Sequence, residues 1–191
     1  MVIKKLIIIL LVTIISIPSY SIVTEVSLSY NYLKRTFDEL NWFANQSTSA
    51  GVSIYLGERI ALELGYTNGL YVKKERENSL SETAQRTTTQ HTTSADLSAI
   101  FLFSERKAQV QPYAKCGVSH IQRRQEVQSD NDIPLSVNPP DAYAPSAGVG
   151  VKFLLSEQFS FRAGLDAVQT PIDESSSVTD LSGRAGISII F

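Results

Sequence analysis

Beyond its first 21 residues, the chain places an apolar residue at every second position in eight successive stretches, and none of them carries a helical stripe. Period two sends successive side chains to opposite faces of an extended strand. The chain is therefore held to β-structure with one apolar and one polar face. The stretches cover about 24–34, 51–56, 60–67, 96–103, 110–119, 147–155, 159–166 and 181–191. In the first, Val26, Leu28, Tyr30 and Tyr32 oppose Ser27, Ser29 and Asn31. In the last, Leu181, Ala185, Ile187, Ile189 and Phe191 oppose Ser182, Arg184, Gly186 and Ser188.

The connections alternate too. They are short at 57–59, 104–108 and 156–157, and long and polar at 36–46, 75–88, 128–141 and 171–179. The 75–88 tract, rich in Ser, Thr, Gln and Glu, reads by composition as a disordered loop. Eight strands with tight turns at one end and long loops at the other describe an all-β, eight-stranded antiparallel up-and-down barrel.

Which face points inward decides the solvent. Glu63, Asp96, Lys115, Lys152, Arg162, Asp166 and Arg184 all fall on the polar face. Gly51, Gly57, Gly65, Gly117, Gly148, Gly150, Gly164 and Gly186 share it, where small residues relieve a narrow lumen. Bulky apolar side chains from eight strands do not all fit inside a barrel of this size, so they point outward and require lipid. A soluble lipocalin-type carrier has the reverse arrangement and a Gly-x-Trp in its first strand, whereas Trp42 follows Leu40-Asn41 in a loop. The expected structure is a transmembrane barrel whose lumen is filled by a network of those charges with Glu25, four acids against four bases. Lys152 and Arg162 oppose each other across neighbouring strands in this arrangement, and need Glu63 or Glu25 between them. Phe103, Phe153, Phe159 and Phe191 mark one membrane interface, and Tyr30, Tyr32 and Tyr66 the other.

Composition excludes other classes. A net charge of −2 gives no electrostatic reason for a nucleic-acid partner. One Cys and two His leave neither a disulfide framework nor a Cys/His zinc site, so no metal or cofactor is expected. Cys116 falls on the apolar face as a small lipid-facing side chain. The N-terminus has Lys4 and Lys5, an apolar run from Leu6 to Ile17, Pro18, and then Ser19-Tyr20-Ser21. That order reads as a secretory signal peptide over 1–21, cut after Ser21, with the barrel domain occupying 22–191. The apolar run is well short of the roughly 20 residues a helical anchor needs.

The chain resembles the small OmpA/OmpX-type outer-membrane β-barrels over nearly its whole mature length. The terminal segment Gly183-Arg184-Ala185-Gly186-Ile187-Ser188-Ile189-Ile190-Phe191 is similar to their C-terminal assembly signal, with a terminal Phe and apolar residues at alternate positions before it. The resemblance implies that Phe191, Ile189 and Ile187 are recognised by the barrel-assembly machinery during insertion. The segment Gln111-Pro112-Tyr113-Ala114-Lys115-Cys116-Gly117-Val118 is similar to a recurring fifth-strand motif of the family. Unlike OmpA, the chain is expected to carry no periplasmic peptidoglycan-binding domain after Phe191.

Some members of that family hydrolyse lipid A with a Ser/His/acid set. The raw material here is Ser119, His120 and Glu126, or His91, Ser94 and Asp96. Adjacent strand residues point oppositely, so Ser119 and His120 do not pair and no enzyme is expected. The function read from the sequence is an integral outer-membrane protein with a structural or surface-interaction role and four exposed outer loops. Its partners are outer-membrane lipid, the assembly machinery and an extracellular partner met through the loops. Trp42-Phe43 in the first loop is an exposed aromatic pair that could anchor one, although its preferred place is in the outer aromatic girdle. The alternative is a narrow pore or transporter for small molecules, and a lipid-modifying hydrolase ranks behind both.

Overall fold

The computed structural model describes residues 23–37, 41–78, 83–129, 134–171 and 177–191; the leader and its cut after Ser21 lie outside them. The strands are β1 (Val23–Thr36), β2 (Trp42–Tyr55), β3 (Ile60–Asn78), β4 (Thr83–Leu102), β5 (Val110–Ser129), β6 (Leu135–Val137), β7 (Ala142–Leu154), β8 (Phe159–Pro171) and β9 (Ser177–Ile190). All pairings are antiparallel. The order β4-β3-β2-β1-β9-β8-β7-β5 closes through β4–β5 into an eight-stranded barrel, and β6 is a short addition to the outer part of β5.

The alternation sets the register. Val52 sits between Val26 and Leu64, Leu97 between Leu64 and Val118, and Ala163 between Val151 and Ala185. All lie on the outer face, and a slip of one residue would turn a whole strand's apolar set into the lumen. Outward Leu64, Leu97 and Leu165 are about 60% exposed while inward Ser53, Ser119 and Ser160 are about 1%, the inverse of a water-soluble protein. The seam is made by β1 and β9, paired from Glu25–Ile190 to Tyr30–Ala185. Beyond it, Phe191 donates its N–H to the Thr24 carbonyl at 2.8 Å and accepts from the Thr24 N–H at 3.2 Å, so the last residue is tied to the first strand.

The strands are longer than the alternation indicates. Most of the 75–88 tract is strand and not loop, because β3 and β4 remain paired through Glu75–Arg86 to Asn78–Thr83; residues 79–82 lie outside those described. The stretches 42–46 and 120–129 are likewise strand, in β2 and β5. These extensions carry polar residues on both faces, so no period-two signal marks them, yet the Thr-rich run from Thr87 to Thr93 suits an extended backbone. From the rung joining Ser94, Ile121 and Ala142, β4 runs on to Thr83, on the order of 35 Å further at ~3.3 Å per residue. Tyr30, Tyr32 and Tyr66 consequently lie mid-strand. At the other end the connections are short, at 56–59, 103–109 and 155–158, and Gly57 lies in the first of these rather than on a strand face. Just inside that end, Tyr55, Ala61, Ile100, Leu102 and Tyr113 form the buried apolar cluster.

Candidate functional site

The chemistry of this molecule is concentrated in its lumen, at inward positions that strand parity supplies. The layer nearest the short turns is built on Lys152 of β7 and Glu25 of β1, each about 1% exposed. The Lys152 ammonium donates to Glu25 Oε2 at 3.0 Å and to the Tyr55 hydroxyl at 2.8 Å, and that hydroxyl donates in turn to Glu25. Ser188 donates to Glu25 Oε1 at 2.5 Å and lies 2.5 Å from Ser160. Gln111 closes the floor by donating to the carbonyls of Arg106 and Ala108 at 2.5 and 2.8 Å. Burying an ion pair is expensive unless its remaining hydrogen-bonding capacity is used, and Tyr55 and Ser188 use it here.

A second layer crosses the barrel from β8 to β9 through β3 and β5. Arg162 contacts Glu63 at 2.8 Å, with Ser53 donating to the same carboxylate oxygen at 3.0 Å. Lys115 stands 4.0 Å from Glu63 and 2.9 Å from Asp166. Arg184 contacts the other oxygen of Asp166 at 2.9 Å. Asp166 faces Ser182 in register and Arg184 faces Gly164, so this last pair is diagonal. Tyr113 lies under the Arg162 guanidinium, 5.3 Å from the ring centroid. Its ring requires glycine on two neighbouring strands: a β-carbon on Gly150 would lie 2.5 Å from the ring, and one on Gly164 2.8 Å from the hydroxyl. Above the layer, Ser27, Ser49, Thr67 and the charged heads line a space of about 30 Å³ for water centres, room for a water or two.

The seven charges singled out in the sequence thus divide. Arg162, Glu63, Lys115, Asp166 and Arg184 form one alternating chain, and Lys152 belongs to the Glu25 pair. Lys152 and Arg162 do oppose each other across β7 and β8, and each has its own acid. Asp96 is a correction. It points inward but accepts from Ser94 at 3.3 Å, and no cation pairs with it among the described residues, because it stands higher in the barrel, opposite Gly65 and Ser119. Tyr55, Tyr113, Ser53 and Ser188 are members that the charge list omitted. Their parity, inward beside Glu63 and Arg162, was the available signal.

The Ser/His sets do not assemble. Ser119 is buried in the lumen, while His120 turns outward to Tyr143, ring centroids 4.8 Å apart, with Nε2 3.5 Å from Asp141. His91 is outward opposite Arg124, whereas Ser94 and Asp96 are inward. Trp42 and Phe43 are not a loop pair either. As the first residues of β2 they face opposite ways, Trp42 beneath Lys34 and Phe43 toward Phe37 and Tyr71.

A family profile described as the outer membrane protein beta-barrel domain matches residues 7–188. The N-terminal barrel of OprF from Pseudomonas aeruginosa is similar in structure, at 18% identity and TM-score 0.56, over 88% of this chain and 97% of that one. OprG from the same organism gives 10% and 0.56, over 89% and 94%. Ail of Yersinia pestis, solved with the heparin analogue sucrose octasulfate, gives 11% and 0.52, over 89% and 99%. Curated protein sequences yield no match.

Proposed function

The chain belongs to the outer membrane protein β-barrel family, and on that premise we propose that it is a sealed, non-catalytic barrel with a structural or surface-interaction role. It resides in the outer membrane. The observation that carries the reading is the pair of charged layers across the lumen, whose side chains are paired with one another from wall to wall. Eight strands enclose a volume that side chains fill, and these side chains fill it with ions already paired. A surface role is supported by the outer strand extensions, a wall far taller than anchoring requires. In this reading they stand outside the cell and present the extracellular partner's contact surface. The refolded protein is expected to give no stable single-channel steps in planar bilayers. Discrete steps would overturn the sealed lumen and put the narrow pore in its place.

Assembly is the second part of the proposal. Ile187, Ile189 and Phe191 share the outward face, 56%, 36% and 72% exposed, so their side chains stay available to the assembly machinery while the backbone closes on Thr24. Deleting Phe191 should lower the heat-modifiable folded fraction on cold SDS gels of outer membranes. Undiminished folding removes the signal role.

A further inference from the structure

We propose that Lys34, Trp42 and Lys74 form an outward-facing site for the phosphate groups of membrane lipid, at the interface bordering the long-strand end. The register builds it. Trp42 pairs directly with Lys74, and Lys34 pairs with Ala44, the next outward residue below Trp42. The Lys34 ammonium lies 5.3 Å from the Trp42 ring centroid. Outward parity is fixed on each strand by its lipid-facing residues: Tyr30 and Tyr32 on β1, Val52 and Ile54 on β2, Leu64 and Tyr66 on β3. Lys34 is the next outward residue after Tyr32, about 7 Å along the strand, where the apolar band gives way to headgroups. Arg76, exposed, is the next outward residue after Lys74.

Among the described residues these cations have no acid partner. Their inward neighbour Lys73 is already held by Glu75 at 2.5 Å, but none of the ion pairs among the described residues involves Lys34, Lys74 or Arg76. On β4 and β5 the rungs of Lys34 and Tyr32 continue outward to Thr89 and Glu126 and to His91 and Arg124. Further down stand Gln122 and the stacked His120–Tyr143 pair, with Asp141 beside them. Lys34, Lys74 and Arg76 thus form a row on β1–β3 of a chain whose net charge is negative, with Arg124 as a further exposed outward cation on β5. Ammonium groups flanking an indole at an interface suit an anionic headgroup, with the ring anchored beside the acyl boundary.

Trp42 is the chain's single tryptophan and reports on this site directly. The folded protein is placed in phosphatidylcholine nanodiscs containing brominated phosphatidic acid or, at equal mole fraction, brominated phosphatidylcholine. Brominated phosphatidic acid should quench Trp42 more, and the preference should fall roughly fivefold per cation removed in Lys34→Gln and Lys74→Gln. Lys107→Gln, exposed at the short-turn end, should leave it unchanged. Equal quenching by the two lipids overturns the proposal, as does a preference that survives the double variant. If inorganic phosphate in neutral nanodiscs shifts Trp42 emission and cancels the preference, the row is a site for soluble anions and the lipid assignment fails. The readout is independent of whether the lumen conducts, so this proposal and the sealed-barrel reading fail separately.

Discussion

The short-turn half of the barrel and the outer strand extensions are made of the same antiparallel ladders, yet they treat charge in opposite ways. Inside, Lys152 is about 1% exposed and bound by Glu25 and Tyr55, and Arg162, Lys115 and Arg184 each have a carboxylate. On the extensions, Lys34, Lys74 and Arg76 face outward without acid partners among the described residues, and the Lys73–Glu75 pair is partly in water. The difference lies in the surroundings. A lumen walled by strands and lipid cannot solvate an ion, so the sequence must supply a counter-ion, whereas water and lipid headgroups do so at the interface and above it.

The largest expected effect tests that contrast directly. Lys152→Ala leaves Glu25 buried without its cation and should destabilise the folded barrel by about 3–5 kcal/mol. Lys74→Ala, on the outer face, should cost no more than about 0.5 kcal/mol. Urea unfolding in lipid vesicles measures both. Comparable losses would show that the inner half does not depend on its ion pairs in the way the burial of Glu25 and Lys152 requires.

A smaller effect is expected one layer up, where Arg184 is still 30% exposed. Asp166→Ala removes the acid shared by Lys115 and Arg184 and should cost about 1–3 kcal/mol, less than the Lys152 change because water reaches part of the pair. Adding Arg184→Ala should recover part of the loss, since one unpaired cation then disappears. Full additivity in that cycle would mean that the 2.9 Å contact carries no coupling.

The same contrast explains what the sequence made legible. Barrel class, strand count, register face and the inward position of all seven charges followed from period two, because lipid on one side and a packed lumen on the other impose it. Where the ladder leaves the membrane both faces meet water, the period vanishes, and 75–88 reads as a loop although Glu75 pairs with Arg86 in a ladder. The loop position of Trp42 and Phe43 fails for the same reason, since both open β2. Parity alone assigns a charge to the lumen but gives no height, which is why Asp96 was grouped with cations it does not meet. The hydrogen-bonding role of Tyr55 was hidden differently, since an aromatic on a strand is ordinarily read for its surface.

The smallest expected effect is also the most discriminating, because distance and energy point in opposite directions. Lys73 and Glu75 approach to 2.5 Å, closer than the 2.9 Å between Lys115 and Asp166. Geometry alone would rank the outer pair as the stronger. Its side chains, however, are 40% and 44% exposed, against 12% and 10% for the inner pair. Water screens the first and is largely absent from the second, so double-mutant cycles to Ala should give a coupling of about 0.2–1 kcal/mol for Lys73–Glu75. The Lys115–Asp166 cycle should exceed it. Raising ionic strength to ~1 M, where the Debye length falls to about 3 Å, should erase most of the outer coupling and leave the inner one nearly intact. If the outer pair couples as strongly as the inner and keeps its coupling in salt, the two regions do not differ in their access to solvent, and the contrast between a self-neutralised lumen and a water-neutralised wall is wrong.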